Sequence, residues 1–293
     1  MIQKLYSPNR LHSRTHFFKY TSAHVAKIVL ANRTLRWSSP ILFDDPFDVL
    51  RELGADVSAA DILRAGLPDF VERLGAQIGF KFTPKSRTAI LKEFRAQNLD
   101  TLASLSPYDG SISAVKAFWR DLIGKLRILC VSERSDIASM WSRRAEGHRG
   151  IVFRFECSDF HDSPLLVARR VTYSRKLPAL ETPEGWSKAC REAFFRGRTD
   201  LLKEYCYLKT PDWKTEREWR VVSFAREGET GFYSDWRFAA STLSEVIFGY
   251  QMDHHDRADI LKMLSHAFGH VRAFDVVVGT GNKFHFREVS RVG

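Results

Sequence analysis

Lys209-Thr-Pro-Asp-Trp-Lys-Thr-Glu216-Arg-Glu218-Trp-Arg220-Val-Val-Ser223 ends in a run that alternates charged and apolar residues. Successive side chains of a β-strand point to opposite faces, so a strand here puts Glu216, Glu218 and Arg220 on one face and Arg217, Trp219 and Val221 on the other. The Trp219/Val221 face reads as core. Two carboxylates then gather on the opposite surface, either to pair with neighbouring strands or to do chemistry.

Working outward, strand patterns cover 17–20 and 34–38, with Thr21-Ser22 placed to cap a helix between them that carries Val25, Ile28 and Val29 on one side. From about 58 to 126 the apolar spacing is helical, in segments at Ala59–Ala65, Phe70–Ile78, Arg87–Gln97 and Ile112–Leu126. Strand character returns at Arg127–Ser132, Gly150–Phe155 and Leu165–Tyr173, followed by a long helix over Trp186–Tyr207. After the Glu216/Glu218 segment come strands at Gly231–Trp236, Glu245–Phe248, Val271–Val278 and Lys283–Val289, with a helix at Arg257–Phe268. The expected fold is α+β, one domain over 1–293, with a mostly antiparallel sheet and a helical insertion at about 58–126.

Composition narrows the function classes. The chain has 293 residues, 44% of them hydrophobic, with 22 Phe and 7 Trp, enough for a large core. Lysine plus arginine number 45 against 35 acidic residues, a net charge of +10. Residues 1–40 hold Lys4, Arg10, Arg14, Lys19, Lys27, Arg33 and Arg36 with no acidic residue. That balance favours polyanions, so DNA or RNA on a basic surface is an expected partner. Cys130, Cys157, Cys190 and Cys206 lack metal-site spacing; Cys130 reads as a small buried hydrophobe, and a reducing cytoplasm is the expected compartment. No apolar run of membrane-spanning length and no signal-peptide pattern occurs, so no membrane partner is expected. The glycines match neither G-x-G-x-x-G nor P-loop spacing.

Three blocks together resemble a widespread bacterial family known as a domain of unknown function. They are Phe18-Lys19-Tyr20-Thr21-Ser22 with the Asp44-Asp45-Pro46-Phe47-Asp48 loop; Val131-Ser132-Glu133 with Met140-Trp141-Ser142, Ala145 and His148-Arg-Gly150; and Glu216-x-Glu218-Trp-Arg220. Asp44 stands where that family's loop has asparagine, and Arg144 where its tryptophan segment has tyrosine. The block order is also similar to that of ADP-ribosyltransferases, which implies an antiparallel core of their type and NAD as substrate. Carried over, Lys19 takes the place of an arginine or histidine, Ser132 that of the serine and Glu218 that of the glutamate, with Glu216 beside it.

The resemblance implies roles that suit the chemistry. Cleaving the nicotinamide–ribose bond develops positive charge on the sugar, which a carboxylate at Glu218 would stabilise while Glu216 activates the acceptor. Ser132 would hold the ribose or Glu218. Lys19, Tyr20, Thr21 and Trp141 would form the NAD-binding set, the cation on the ribose or pyrophosphate oxygens and Tyr20 or Trp141 stacked on the nicotinamide. The expected protein is a cytoplasmic effector, in toxin or phage-defence style, that transfers ADP-ribose to nucleic acid or protein and is held by an antitoxin or partner protein. No metal is expected.

Two rivals stand beside this reading. Asp44, Asp45 and Asp48 with Glu216 and Glu218 could hold a divalent ion in a metal-dependent nuclease or hydrolase. Asp253-His254-His255-Asp256 also has metal-type residues, but at the start of a helix, where acidic residues serve as caps. The second rival is a non-catalytic module for nucleic acid or protein.

Overall fold

The computed structural model describes residues 10–49, 52–54, 56–96, 108–176, 178–191, 202, 205–281 and 283–289. The chain divides into two compact units. The first comprises 1–44, 125–173 and 209–293, and the second 45–124 and 174–208.

The first unit is built on a ten-stranded, mostly antiparallel sheet. Strand β1 (His16–Thr21) leads into helix α1 (Ala23–Asn32), whose N-cap is Ser22: its Oγ accepts from Val25 N at 3.2 Å. The helix buries Ala23, Ala26, Val29 and Leu30. Val25 and Ile28, placed by the sequence on one side with Val29, are instead 41% and 39% exposed, and the buried stripe runs through Ala26, Val29 and Leu30. Arg33, in the left-handed region at φ 54°, ends the helix and starts β2 (Thr34–Ser38).

Strand β3 (Leu126–Ser132) organises the rest. Along one edge it pairs with β8 (Glu218–Phe224) from Leu126↔Phe224 to Ser132↔Glu218. Two strands share its other pairings: β1 meets it at Phe18↔Ser132 and β2 at Ser38↔Ile128. From there β1 continues along β4 (Ile151–Glu156), while β2 pairs with β9 (Tyr233–Arg237). Beyond β4 lie β10 (Leu243–Phe248), β11 (Arg272–Val278) and β12 (Phe284–Glu288), with β10 and β11 parallel. The β10–β11 crossover is a helix, His254–Ala267, capped by Asp253, whose Oδ1 accepts from His255 N and Asp256 N. Asp253 is therefore a cap, as its position suggests.

The Leu165–Tyr173 strand does not form as one element. Pro164–Val167 makes a 3-10 turn, and only the short strands β5 (Arg169–Arg170) and β6 (Thr172–Tyr173) follow. The latter pairs with β7 (Leu208–Lys209).

The second unit is helical, with helices at Ala59–Gln77, Pro84–Ala96, Tyr108–Lys125 and Pro183–Arg191. The first continues past Pro68, where the sequence suggested a break, and buries Ile62, Leu67 and Val71 around the missing N–H. Gly54, at φ 52°, approaches Trp186 so closely that a Cβ would lie 2.4 Å from its indole nitrogen. The expected long helix over 186–207 is seen through Arg191; 192–201 lie outside the described residues.

Candidate functional site

The opening segment folds differently from a continuous strand. Thr210 and Pro211 start a six-residue 3-10 turn, Pro211–Glu216, a good use of proline at a first helical position. Arg217 then adopts the left-handed region, φ 50° and ψ 44°, a strained conformation for a non-glycine residue. The strand begins only at Glu218. Glu216 therefore comes from a turn, and it meets Glu218 through the 3-10 fold and not through strand alternation.

Both carboxylates are buried, at 2% and 6% exposure, where a half-solvated face was expected. They share one cation. Lys209 Nζ donates to Glu216 Oε2 at 2.8 Å and to Glu218 Oε2 at 3.0 Å. Arg220, two residues on and fully buried, donates from Nε to Glu218 Oε1 at 2.7 Å and from Nη2 to Oε2 at 3.2 Å. Tyr173 Oη accepts from Glu218 N at 2.9 Å. Burial opposes ionisation of Glu218, but Arg220 and Lys209 outweigh it and hold the carboxyl well below the ordinary carboxylate range.

The two glutamates differ in one respect. Both oxygens of Glu218 are engaged, whereas Glu216 Oε1 is buried and accepts no hydrogen bond. Two guanidinium groups approach it from beyond hydrogen-bond reach, Arg143 Nη2 at 3.7 Å and Arg144 Nε at 3.9 Å. These guanidinium side chains are 43% and 37% exposed. Trp213, on the 3-10 turn, is flanked by Arg143 at 4.7 Å and Lys209 at 4.6 Å from its ring centre.

The three sequence blocks do converge here. Ser132 lies opposite Glu218 in the β3–β8 ladder and opposite Phe18 in the β1–β3 pairing. Its hydroxyl, 1% exposed as a residue, donates to the backbone carbonyl of Glu216 at 2.8 Å. Ser132 thus fixes the turn that carries Glu216 and touches neither carboxylate. Lys19 Nζ donates to the carbonyl of Cys130 at 2.9 Å, and burial pushes its ammonium below the ordinary lysine range. Burial and the neighbouring Glu218 push the Cys130 thiol up to about 12.

The expected aromatic contacts fall elsewhere. Tyr20 and Trp141 are 5% and 0% exposed and pack edge to face at 5.6 Å. Tyr20 Oη donates to Arg134 O, and Trp141 Nε1 to Ser135 O. With both rings enclosed beside Phe18, Val152 and Ile247, a stacking role on nicotinamide is replaced by a packing role. Thr21 is also buried; its carbonyl sits against Gly150, where a Cβ would come within 2.1 Å, which explains the glycine in His148-Arg-Gly150.

Asp44 and Arg144 meet in an ion pair at 2.7 Å. Asp45 Oδ1 accepts from Phe47 N in a local turn. Among the described residues no group of three or more His, Cys, Asp or Glu is arranged to hold a metal ion.

Lys209, Trp213 and Arg143 are the members that sequence reasoning passed over. The signal was present in Thr210-Pro211-Asp212, which marks a turn that returns the chain and brings Lys209 to a residue seven positions later. No family model, curated protein or solved structure matches the chain. Among the described residues no helix is long and apolar enough to cross a membrane.

Proposed function

We propose that the Lys209–Glu216–Glu218–Arg220 cluster is the centre of an ADP-ribosyltransferase-like enzyme that cleaves NAD, with Glu216 in place of Glu218 as the carboxylate facing the ribose. The observation that carries this reading is the buried, unaccepting Oε1 of Glu216 under two half-exposed arginines. A buried carboxylate oxygen without a donor is an unusual liability, and a ligand hydroxyl would relieve it. Glu218, neutralised by Arg220 and Lys209, has no free charge for a developing cation and serves as an anchor.

As the C1′–nitrogen bond breaks, nicotinamide leaves with the bonding electrons and the sugar carbon becomes electron-poor. Glu216 balances that charge across the arrangement fixed by Ser132 and Lys209. An acceptor nucleophile then bonds to the sugar carbon and releases its proton to water. Arg143 and Arg144 suit the anionic pyrophosphate, and Trp213 offers an aromatic surface between cations. The acceptor is DNA, RNA or protein, the first two favoured by the net charge of +10.

A second reading has its own support. Among the described residues, the cations Lys19, Arg143, Arg144, Lys209 and Arg220 lie around Asp44, Glu216 and Glu218, a basic setting that suits an anion-binding module without turnover. Incubation with labelled NAD and separate pools of DNA, RNA and cell protein, with and without EDTA, separates the two. Nicotinamide release with label transfer, unaffected by EDTA, is expected for the enzyme. NAD binding without release points to the module, and EDTA-sensitive strand cleavage without NAD to the metal-dependent rival.

A further inference from the structure

At one edge of the first unit's sheet, the two-residue strand β5 pairs with β8, setting Arg169 opposite Arg220 and Arg170 opposite Trp219. Like charges directly opposite one another destabilise a ladder. Glu218 neutralises Arg220, but Arg169 is exposed and forms no ion pair among the described residues.

Arg170 turns toward Glu133, its Nη2 lying 3.7 Å from Oε1. The other oxygen, Oε2, accepts from Arg14 Nη1 at 3.4 Å and from Trp219 Nε1 at 3.1 Å. Arg14 Nε is left buried without an acceptor. Arg217, whose carbonyl accepts from Glu133 N at 3.1 Å, forms no ion pair among the described residues. Arg134 follows Glu133 in the chain, and its side chain is 55% exposed beside Asp136. Exposed ion pairs contribute little to stability, so folding does not account for gathering these guanidinium groups around one glutamate.

We infer that this arginine-lined edge is a docking surface for the phosphodiester backbone of nucleic acid. Guanidinium forks match phosphate oxygens, and neutralising a polyanion returns its counterions to solvent. Arg14, Arg134 and Arg169-Arg170 come from separate segments of the chain, which suits successive phosphates better than one isolated anion. Arg169 and Arg170, adjacent in a strand, point to opposite faces of the sheet. A thread-like polyanion crossing the edge can meet both, whereas a flat lipid surface meets one face. Contacts to phosphate alone carry no sequence or sugar readout, so DNA and RNA should bind alike. The surface uses none of the residues assigned to NAD and stands whether or not the protein turns NAD over.

Fluorescence anisotropy of the full chain without NAD tests this, with labelled DNA and RNA strands of about 12 nucleotides. Both should bind, about tenfold more weakly at about 200 mM than at about 50 mM salt, the slope for roughly two to three phosphates. Arg134→Ala, Arg169→Ala and Arg170→Ala combined should weaken binding at the lower salt by about tenfold or more and flatten that slope. Lys81→Ala, Lys85→Ala and Lys92→Ala combined remove the same charge from the second unit and should have less than about a twofold effect. All six side chains are exposed, so the fold survives their removal, which an unchanged melting temperature checks. No binding at the lower salt, equal loss in the two triple variants, or tighter binding to vesicles of anionic lipid than to either strand would each overturn the assignment.

Discussion

Strand β1 separates two regions that share a backbone and little else. Phe18 and Tyr20 enter an aromatic cluster with Trp141, Val152 and Ile247, while Lys19 reaches the other way toward Cys130 and the charges beyond it. The aromatic cluster is stabilised by the ordinary gain of removing apolar area from water, and its two polar tips are satisfied by backbone carbonyls. The charge cluster gains nothing comparable. Burying Lys209, Glu216, Glu218 and Arg220 carries a desolvation cost that the aromatic cluster does not meet, even though at Glu218 the neighbouring cations outweigh it. The first region explains why the protein folds; the second needs another reason to exist, and such conflicts concentrate at functional sites.

That contrast can be broken experimentally. Removing one partner of the charge cluster, as in Arg220→Met, should lower stability by about 3–5 kcal/mol, because Glu218 loses its closest cation. Trp141→Ala should have a similar size, about 3–5 kcal/mol, from the cavity it leaves. Repair distinguishes them. Adding Glu218→Leu to Arg220→Met should cost less than the sum of the two single losses, with a coupling of about 0.5–3 kcal/mol in a denaturant-based double-mutant cycle. Additive losses would mean that the two side chains do not act as a pair.

A smaller effect follows from pH. The folded pKa of Glu218 lies below its ordinary value of 4.5, so its contribution is fully present above that value and is lost as pH falls toward the depressed folded pKa. The stability advantage of the native chain over Glu218→Gln should therefore be flat from about pH 8 to pH 5 and shrink in stronger acid. An advantage that grows on acidification would reverse the assigned sign. Smallest of all, Arg36→Ala should change stability by less than about 1 kcal/mol, since its pair with Asp235 is half-exposed.

The same contrast governs what could be read in the sequence. Strand-type apolar runs and a capping signal were legible for β1, α1, β2 and β3, because local chemistry decides those elements: Ser22 caps α1, and Ile128-Leu-Cys-Val131 is a continuous apolar run. The convergence of Lys19, Ser132 and Glu218 was legible as block order. The environment was not. Glu216 and Glu218 looked like a solvated face because nothing in a linear pattern announces that Lys209, nine residues before Glu218, will fold back beneath both. Arg217 hid the break, since a left-handed arginine leaves no compositional mark where glycine would have. Trp141 and Tyr20 offered aromatic character without revealing that both rings are enclosed.

The most direct measurement is nicotinamide release from NAD by the native chain, Glu216→Gln and Glu218→Gln, with folding of each matched by circular dichroism. Release by the native protein should fall about 10²–10³-fold in Glu216→Gln, the size expected for losing one electrostatic stabiliser of the transition state. Activity retained in Glu216→Gln, or no release by the native chain with any acceptor, would contradict the assignment of that unpaired oxygen to a ribose.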